Sequence, residues 1–204
     1  RKLSFTGSTE VGRTLLALAA DRVLNVSMEL GGNAPFLVLA DADVEAAVIG
    51  AMQAKMRNAG EACTAANRFY VAAPVADEFA DRLSRAMESL TVGPGMDEGV
   101  EVGPLINAAS RDKVAELGAE AADGATITTG GRAPDRKGFF YLPTVIKDVA
   151  PSASILGAEI FGPVAPIVRF DDLDDAIALA NDTDTGLISY VYTGDERTGL
   201  SVAE

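Results

Sequence analysis

"NAPFLVLADADVEAAVIGAMQAKMRNAGEACTAANRFYVAA", residues 33–73, holds a strand pattern, a helix pattern, a glycine-broken turn and a second strand pattern in one run. The stretch to Leu39 is short and apolar, as a buried strand is. Asp41 or Asp43 can cap the next helix, because a side-chain carboxylate there accepts from the free N–H groups of a first turn. Val44, Ala47, Val48, Ala51 and Met52 then recur at the helical period, and the helix should end near Arg57. "NAGEAC" is a loop or tight turn that leads to Cys63, and "RFYVAA" is the following strand.

The same alternation extends both ways. Upstream, "RKLSFTGSTEVGRTLLALAADR" reads as a short strand, a glycine turn and a helix with Val11, Leu15 and Leu18 on one face, and "VSMEL" as a buried strand ended by Gly31-Gly32. Downstream, the patterns predict helices over about 75–90, 108–122 and 173–181. They predict strands over 125–129 and 143–149, a strand ending at Phe170 after a Gly162-Pro163 turn, and a last strand "LISYVYT". Elements in this order suggest a parallel-rich α/β sheet. The chain starts without Met and stops inside what reads as a helix, so both ends are expected to be cut.

The charge and residue counts exclude several classes of function. A net charge of -13 spread along helical stretches opposes binding to nucleic acid through phosphates and is accounted for by solubility. No apolar run of about 20 residues suggests a membrane span. A single cysteine cannot form an internal disulfide, which suits a reducing, cytoplasmic setting. With no histidine there is no Ser-His or Cys-His pair and no His-containing zinc site, and a lone cysteine makes no thiolate cluster, so no metal is expected. Any base in these residues is a carboxylate, a lysine or a tyrosine.

Four segments can carry chemistry. Cys63 reads either as a small core residue or as a nucleophile; Gly60, Ala62, Thr64, Ala65 and Ala66 leave space beside it, and Arg57 offers a positive potential that favours thiolate. Glu29, in an otherwise apolar strand, is either a salt-bridged strand end or a desolvated general base. "GSTEVG", Gly7 to Gly12, is either a simple turn that starts a helix or a phosphate cradle at a helix N-terminus. "AEIFGPV" sets Glu159 two residues before Phe161 at a tight turn, where the ring either packs or stacks on a flat ligand.

Taken in order, "FTGSTEVG", "MELGGNAP", "NAGEACTAANR" and "EIFGPV", with 34 positions between Glu29 and Cys63, resemble the aldehyde dehydrogenase superfamily over essentially the whole chain. The resemblance implies a three-layer α/β fold, a parallel-rich sheet with helices on both faces. It also implies that residues 1–29 end a Rossmann-like cofactor domain and residues 30–204 form a catalytic domain, each truncated. Cys63 is then the nucleophile that forms a thiohemiacetal and a thioester, Glu29 the base that activates water, and the Cys63 N–H half of an oxyanion hole. Gly7, Ser8 and Gly12 match positions at the pyrophosphate of NAD or NADP, Leu30 one whose carbonyl meets the carboxamide, Glu159 one on the nicotinamide ribose and Phe161 one beside the nicotinamide. Arg57 matches the position that binds the far carboxylate in members similar to succinate-semialdehyde dehydrogenases. The implied substrate is therefore succinic semialdehyde, with glutaric semialdehyde close behind.

Ala65 stands where some relatives carry a second cysteine, so no disulfide switch is expected. The intact parent is expected to be a homo-oligomer, and the piece alone to be inactive or nearly so. The competing readings are a general aldehyde dehydrogenase with a structural Arg57, an enzyme that passes the acyl group to coenzyme A, a noncatalytic protein that keeps the fold, and a thiol sensor. Retained Glu29 favours hydrolysis over acyl transfer, and the lack of a resolving thiol weighs against the sensor.

Overall fold

The computed structural model describes all 204 residues. They divide into two compact units, Arg1–Gly32 and Asn33–Glu204.

In the first unit β1 (Lys2–Thr6) pairs in parallel with β2 (Asn25–Glu29), and α1 (Thr9–Ala20) connects them. Ser8 caps α1 by accepting from the Val11 N–H at 3.4 Å. The buried stripe of α1 differs from the expected one: Gly12 and Ala19 are buried, while Val11 and Leu18 are exposed. β2 was expected to be buried and is not, since Met28 is half-buried and the other four residues are exposed. The reason is that this sheet has two strands and one covering helix, so apolar side chains on its open face meet solvent.

The second unit is built on a six-stranded sheet of order β5-β6-β7-β4-β3-β8. These strands are β3 (Ala34–Val38), β4 (Ala66–Ala72), β5 (Thr126–Thr129), β6 (Thr144–Lys147), β7 (Val164–Phe170) and β8 (Tyr190–Tyr192). Every pairing is parallel except β5 with β6. The helices are α2 (Val44–Met56), α3 (Ala73–Glu88), α4 (Ala108–Ala121), α5 (Leu173–Asn181) and α6 (Glu196–Ala203). The last strand is shorter than expected: Leu187 and Ile188 stay outside it and are exposed.

Side chains alternate across a strand, so each strand feeds two cores. Phe36, Val38, Phe69, Val71, Val145 and Ile167 pack against α2 and α3 on one face. Leu37, Tyr70, Ile146, Val164 and Val168 pack with Val114 and Ala121 of α4 and Ala176 of α5 on the other. This is the three-layer arrangement. β4 is buried at all seven positions because it lies between β7 and β3 with a core on either side.

One buried charge needs its partners counted, because an uncompensated cation in a core is costly. The Arg68 guanidinium donates through Nε and Nη2 to the Asn33 carbonyl, and through Nη1 and Nη2 to the carbonyls of Leu179 and Ala180. It ties the start of β3 and the end of α5 to β4. No helix is long and apolar enough to cross a membrane.

Candidate functional site

Asp43 caps α2 through the Ala46 N–H at 3.1 Å, and α2 ends at Met56. The chain then turns sharply. Asn58, Ala59 and Gly60 have φ of 51°, 54° and 78°, three consecutive residues in the left-handed region. For a residue with a Cβ that conformation costs about 1–2 kcal/mol, so the surroundings must hold it. Part of that hold is Gly60 itself, since a Cβ there would lie 2.3 Å from the Gly162 carbonyl oxygen.

Cys63 follows in a second turn, closed by the Ala65 N–H donating to the Ala62 carbonyl at 3.0 Å, so Cys63 and Thr64 are its two central residues. The thiol residue is half-buried. Ala65 and Ala66 do not leave space beside it, because they are 3% and 0% exposed and lead into the core strand β4. A cavity of about 450 Å³ is lined by Asn58, Ala59 and Glu61 of the preceding turn together with Glu101, Gly103 and Pro104. Glu61 accepts from the Ile106 N–H at 3.2 Å; burial pushes its carboxyl up, and that hydrogen bond opposes the shift.

The segment Glu159 to Gly162 lies against the first turn through Gly162. Phe161 has φ of 52° and is 37% exposed, so its ring is available to a ligand at the cost of a strained backbone. Glu159 is half-buried, and its carbonyl accepts from Lys113 Nζ at 2.7 Å. Two left-handed turns, one leading to the thiol and one carrying Phe161, therefore face each other across the Gly60–Gly162 contact.

Arg57 is exposed. The Tyr190 hydroxyl donates to the Thr64 carbonyl at 2.9 Å. Burial raises the Tyr190 pKa, Tyr192 adds to the rise and the Arg57 charge opposes it, so the guanidinium acts on a hydroxyl bonded beside Cys63. Arg57 and Cys63 lie in the loop between α2 and β4, and the Phe161 turn meets that loop at the Gly60–Gly162 contact.

In the first unit Gly7 and Ser8 are exposed at the start of α1, and the Gly7 N–H donates to the Glu29 carbonyl at 3.0 Å. Gly12 is pressed against Leu30, with no room for a Cβ. Glu29 itself is exposed, so the desolvation expected from its apolar neighbours is absent. No group of three or more His, Cys, Asp or Glu is arranged to hold a metal ion.

Sequence reasoning missed Tyr190, Glu61 and the pair Lys55–Asn67. Lys55 is fully buried at the end of α2, and its Nζ donates to Asn67 Oδ1 on β4 at 3.1 Å, joining the two elements that bracket the thiol loop. A signal existed, because position 55 continues the buried stripe of Val48 and Ala51. Burial lowers the Lys55 pKa from 10.5 to about 7. The unfolded chain therefore holds more protons between these values, and stability must rise with pH across that window, up to on the order of 5 kcal/mol in full. Urea unfolding at pH 7 and pH 9 is expected to show a gain of about 2–3 kcal/mol that Lys55→Met removes. An equal pH dependence in the variant would assign the effect to other groups.

The aldehyde dehydrogenase family model matches residues 1–204, and the chain belongs to that family. It is 55% identical over 205 residues to the succinate-semialdehyde dehydrogenase of Paenarthrobacter nicotinovorans, covering 100% of this chain and 46% of that protein. It is 48% identical to the glutarate-semialdehyde dehydrogenase of Pseudomonas aeruginosa, covering 100% and 42%. Among solved structures, the crystal structure of an E. coli NADP dependent enzyme superposes with a TM-score of 0.97 at 49% identity, covering 100% and 42%. The chain spans less than half the length of these relatives.

Proposed function

We propose that these residues carry the nucleophile, the base and part of the cofactor site of an NAD(P)-dependent dehydrogenase that oxidises a short ω-carboxy aldehyde, succinic semialdehyde first and glutaric semialdehyde second. The observation that supports this reading is that Arg57 and Cys63 stand six positions apart in the loop that joins α2 to β4, beside the Thr64 carbonyl that accepts from Tyr190. Relatives named for both semialdehydes support the substrate class.

The residues fit a dinucleotide. α1 has 12 residues and an exposed N-terminus around Gly7 and Ser8; the Gly7 N–H is taken by the Glu29 carbonyl and the Val11 N–H by Ser8, so the other N–H groups of the first turn are those that suit a pyrophosphate. Glu10 stands in the same turn, so backbone donors rather than side-chain charge are what α1 offers. Gly7, Ser8 and Gly12 would hold the phosphates, the Leu30 carbonyl the carboxamide, Glu159 a ribose hydroxyl and the exposed Phe161 ring the nicotinamide face. When bound, the nicotinamide supplies the hydride acceptor for oxidation of the Cys63 adduct to a thioester.

The remaining chemistry belongs to the chain. Cys63 as thiolate attacks the aldehyde carbon, and its own N–H donates to the oxyanion that develops. Glu29 takes a proton from water, which attacks the thioester carbonyl; the C–S bond breaks, and the thiolate leaves as the carboxylic acid forms. Arg57 grips the distal carboxylate with two N–H donors and leaves its own charge unpaired when an uncharged chain binds.

The test is steady-state nicotinamide reduction with succinic semialdehyde and with butanal, in a protein of the relatives' full length that carries this sequence. Arg57→Ala is expected to raise KM for the acid about 100-fold, the loss of roughly 3 kcal/mol, with butanal unchanged. Equal use of both aldehydes before mutation would overturn the carboxy-aldehyde assignment in favour of a general aldehyde dehydrogenase.

A further inference from the structure

The turn that presents Cys63 is held from the edge of the sheet. Tyr190 lies on β8, which pairs in parallel with β3 and places Tyr190 opposite Phe36. Its ring sits 5.6 Å from that of Phe36, a residue with no exposure. Its hydroxyl reaches from there to the Thr64 carbonyl at 2.9 Å. Thr64 is the central residue of the turn next to Cys63, and the Ala65 N–H closes that turn on Ala62. A rigid ring seated on a core phenylalanine and bonded at its tip to a turn carbonyl limits how that turn can rotate.

We propose that Tyr190 is a positioning residue for the nucleophile, fixing the Ala62–Ala65 turn so that the Cys63 thiol meets a carbonyl carbon at the attacking geometry. This rests on the reading of Cys63 as nucleophile. Misplacement of a reacting atom by about 1 Å can cost on the order of 100-fold in rate, so loss of one restraint should appear in kcat before KM.

Tyr192 supplies the control. It lies two residues further along β8 and stacks on the same Phe36 at 5.0 Å, but its hydroxyl sits over Gly50 of α2 rather than the turn. The experiment compares Tyr190→Phe and Tyr192→Phe in the full-length protein by amide hydrogen exchange at Ala65 and by aldehyde kinetics. In Tyr190→Phe, exchange at Ala65 is expected to rise at least tenfold and kcat to fall about tenfold, with KM within twofold. Tyr192→Phe is expected to leave both unchanged. Unchanged exchange in Tyr190→Phe, an equal rise in Tyr192→Phe, or faster exchange with unaltered kcat would each overturn the proposal. If Tyr190→Phe loosens Ala65 while the unmutated protein oxidises no aldehyde, the tether stands and the proposed function fails.

Discussion

Cys63→Ser is expected to abolish aldehyde oxidation, with kcat at least about 10³-fold lower, because a hydroxyl at neutral pH has no anionic form comparable to a thiolate. The chain has no histidine to act as a base for serine. Cys63 is also its only thiol, so no neighbour can substitute. Glu29→Gln should fail at a different step: a first turnover equal in amount to the enzyme survives, and steady-state turnover falls as the thioester waits for water. Rapid-mixing measurement of nicotinamide reduction separates the two, since Cys63→Ser gives no burst and Glu29→Gln a burst without turnover. A burst followed by full turnover in Glu29→Gln would remove Glu29 from the hydrolytic step.

Gly60→Ala should cost about 3 kcal/mol or more and inactivate the site without touching any reacting group. Two penalties coincide there. At a φ of 78° an alanine is strained, and its Cβ would fall 2.3 Å from the Gly162 oxygen, which is main chain and cannot swing aside as a flexible side chain would. Relief requires the thiol-bearing loop and the Phe161 turn to separate. Gly103, in the lining of the cavity beside Asn58 and Ala59, has nothing within 4 Å of its Cβ position, so Gly103→Ala should change stability by less than about 0.5 kcal/mol. Equal thermal midpoints for the two variants would mean that the turn-to-turn contact carries no weight.

Local chemistry made much of this molecule legible. The Asp43 cap and the stripe of Ala47, Val48 and Ala51 depend on residues a few positions apart and stand as the residue types dictate, and a turn stands before Cys63 where the glycine put it. The α5 helix runs over the expected Leu173–Asn181 because Asp172 caps it at Asp174 and Asp175. Motif order brought out the candidate residues Cys63, Glu29, Arg57, Glu159 and Phe161, whose types alone leave several readings open.

Burial and partnership were not legible in the same way. An apolar stretch with one glutamate reads as a buried strand, yet β2 is exposed because exposure depends on how many strands and helices flank it. Lys55 looks like an ordinary helix-end lysine until β4 brings Asn67 to it. Tyr190 and Thr64, or Gly60 and Gly162, meet only through the strand order of the sheet. Sequence alone determined the elements, their caps and the chemical types at the site, because period and capping are set by near neighbours. The tertiary structure decided which groups are dry, which turns face each other and what holds the thiol, because those follow from contacts between residues far apart in the chain.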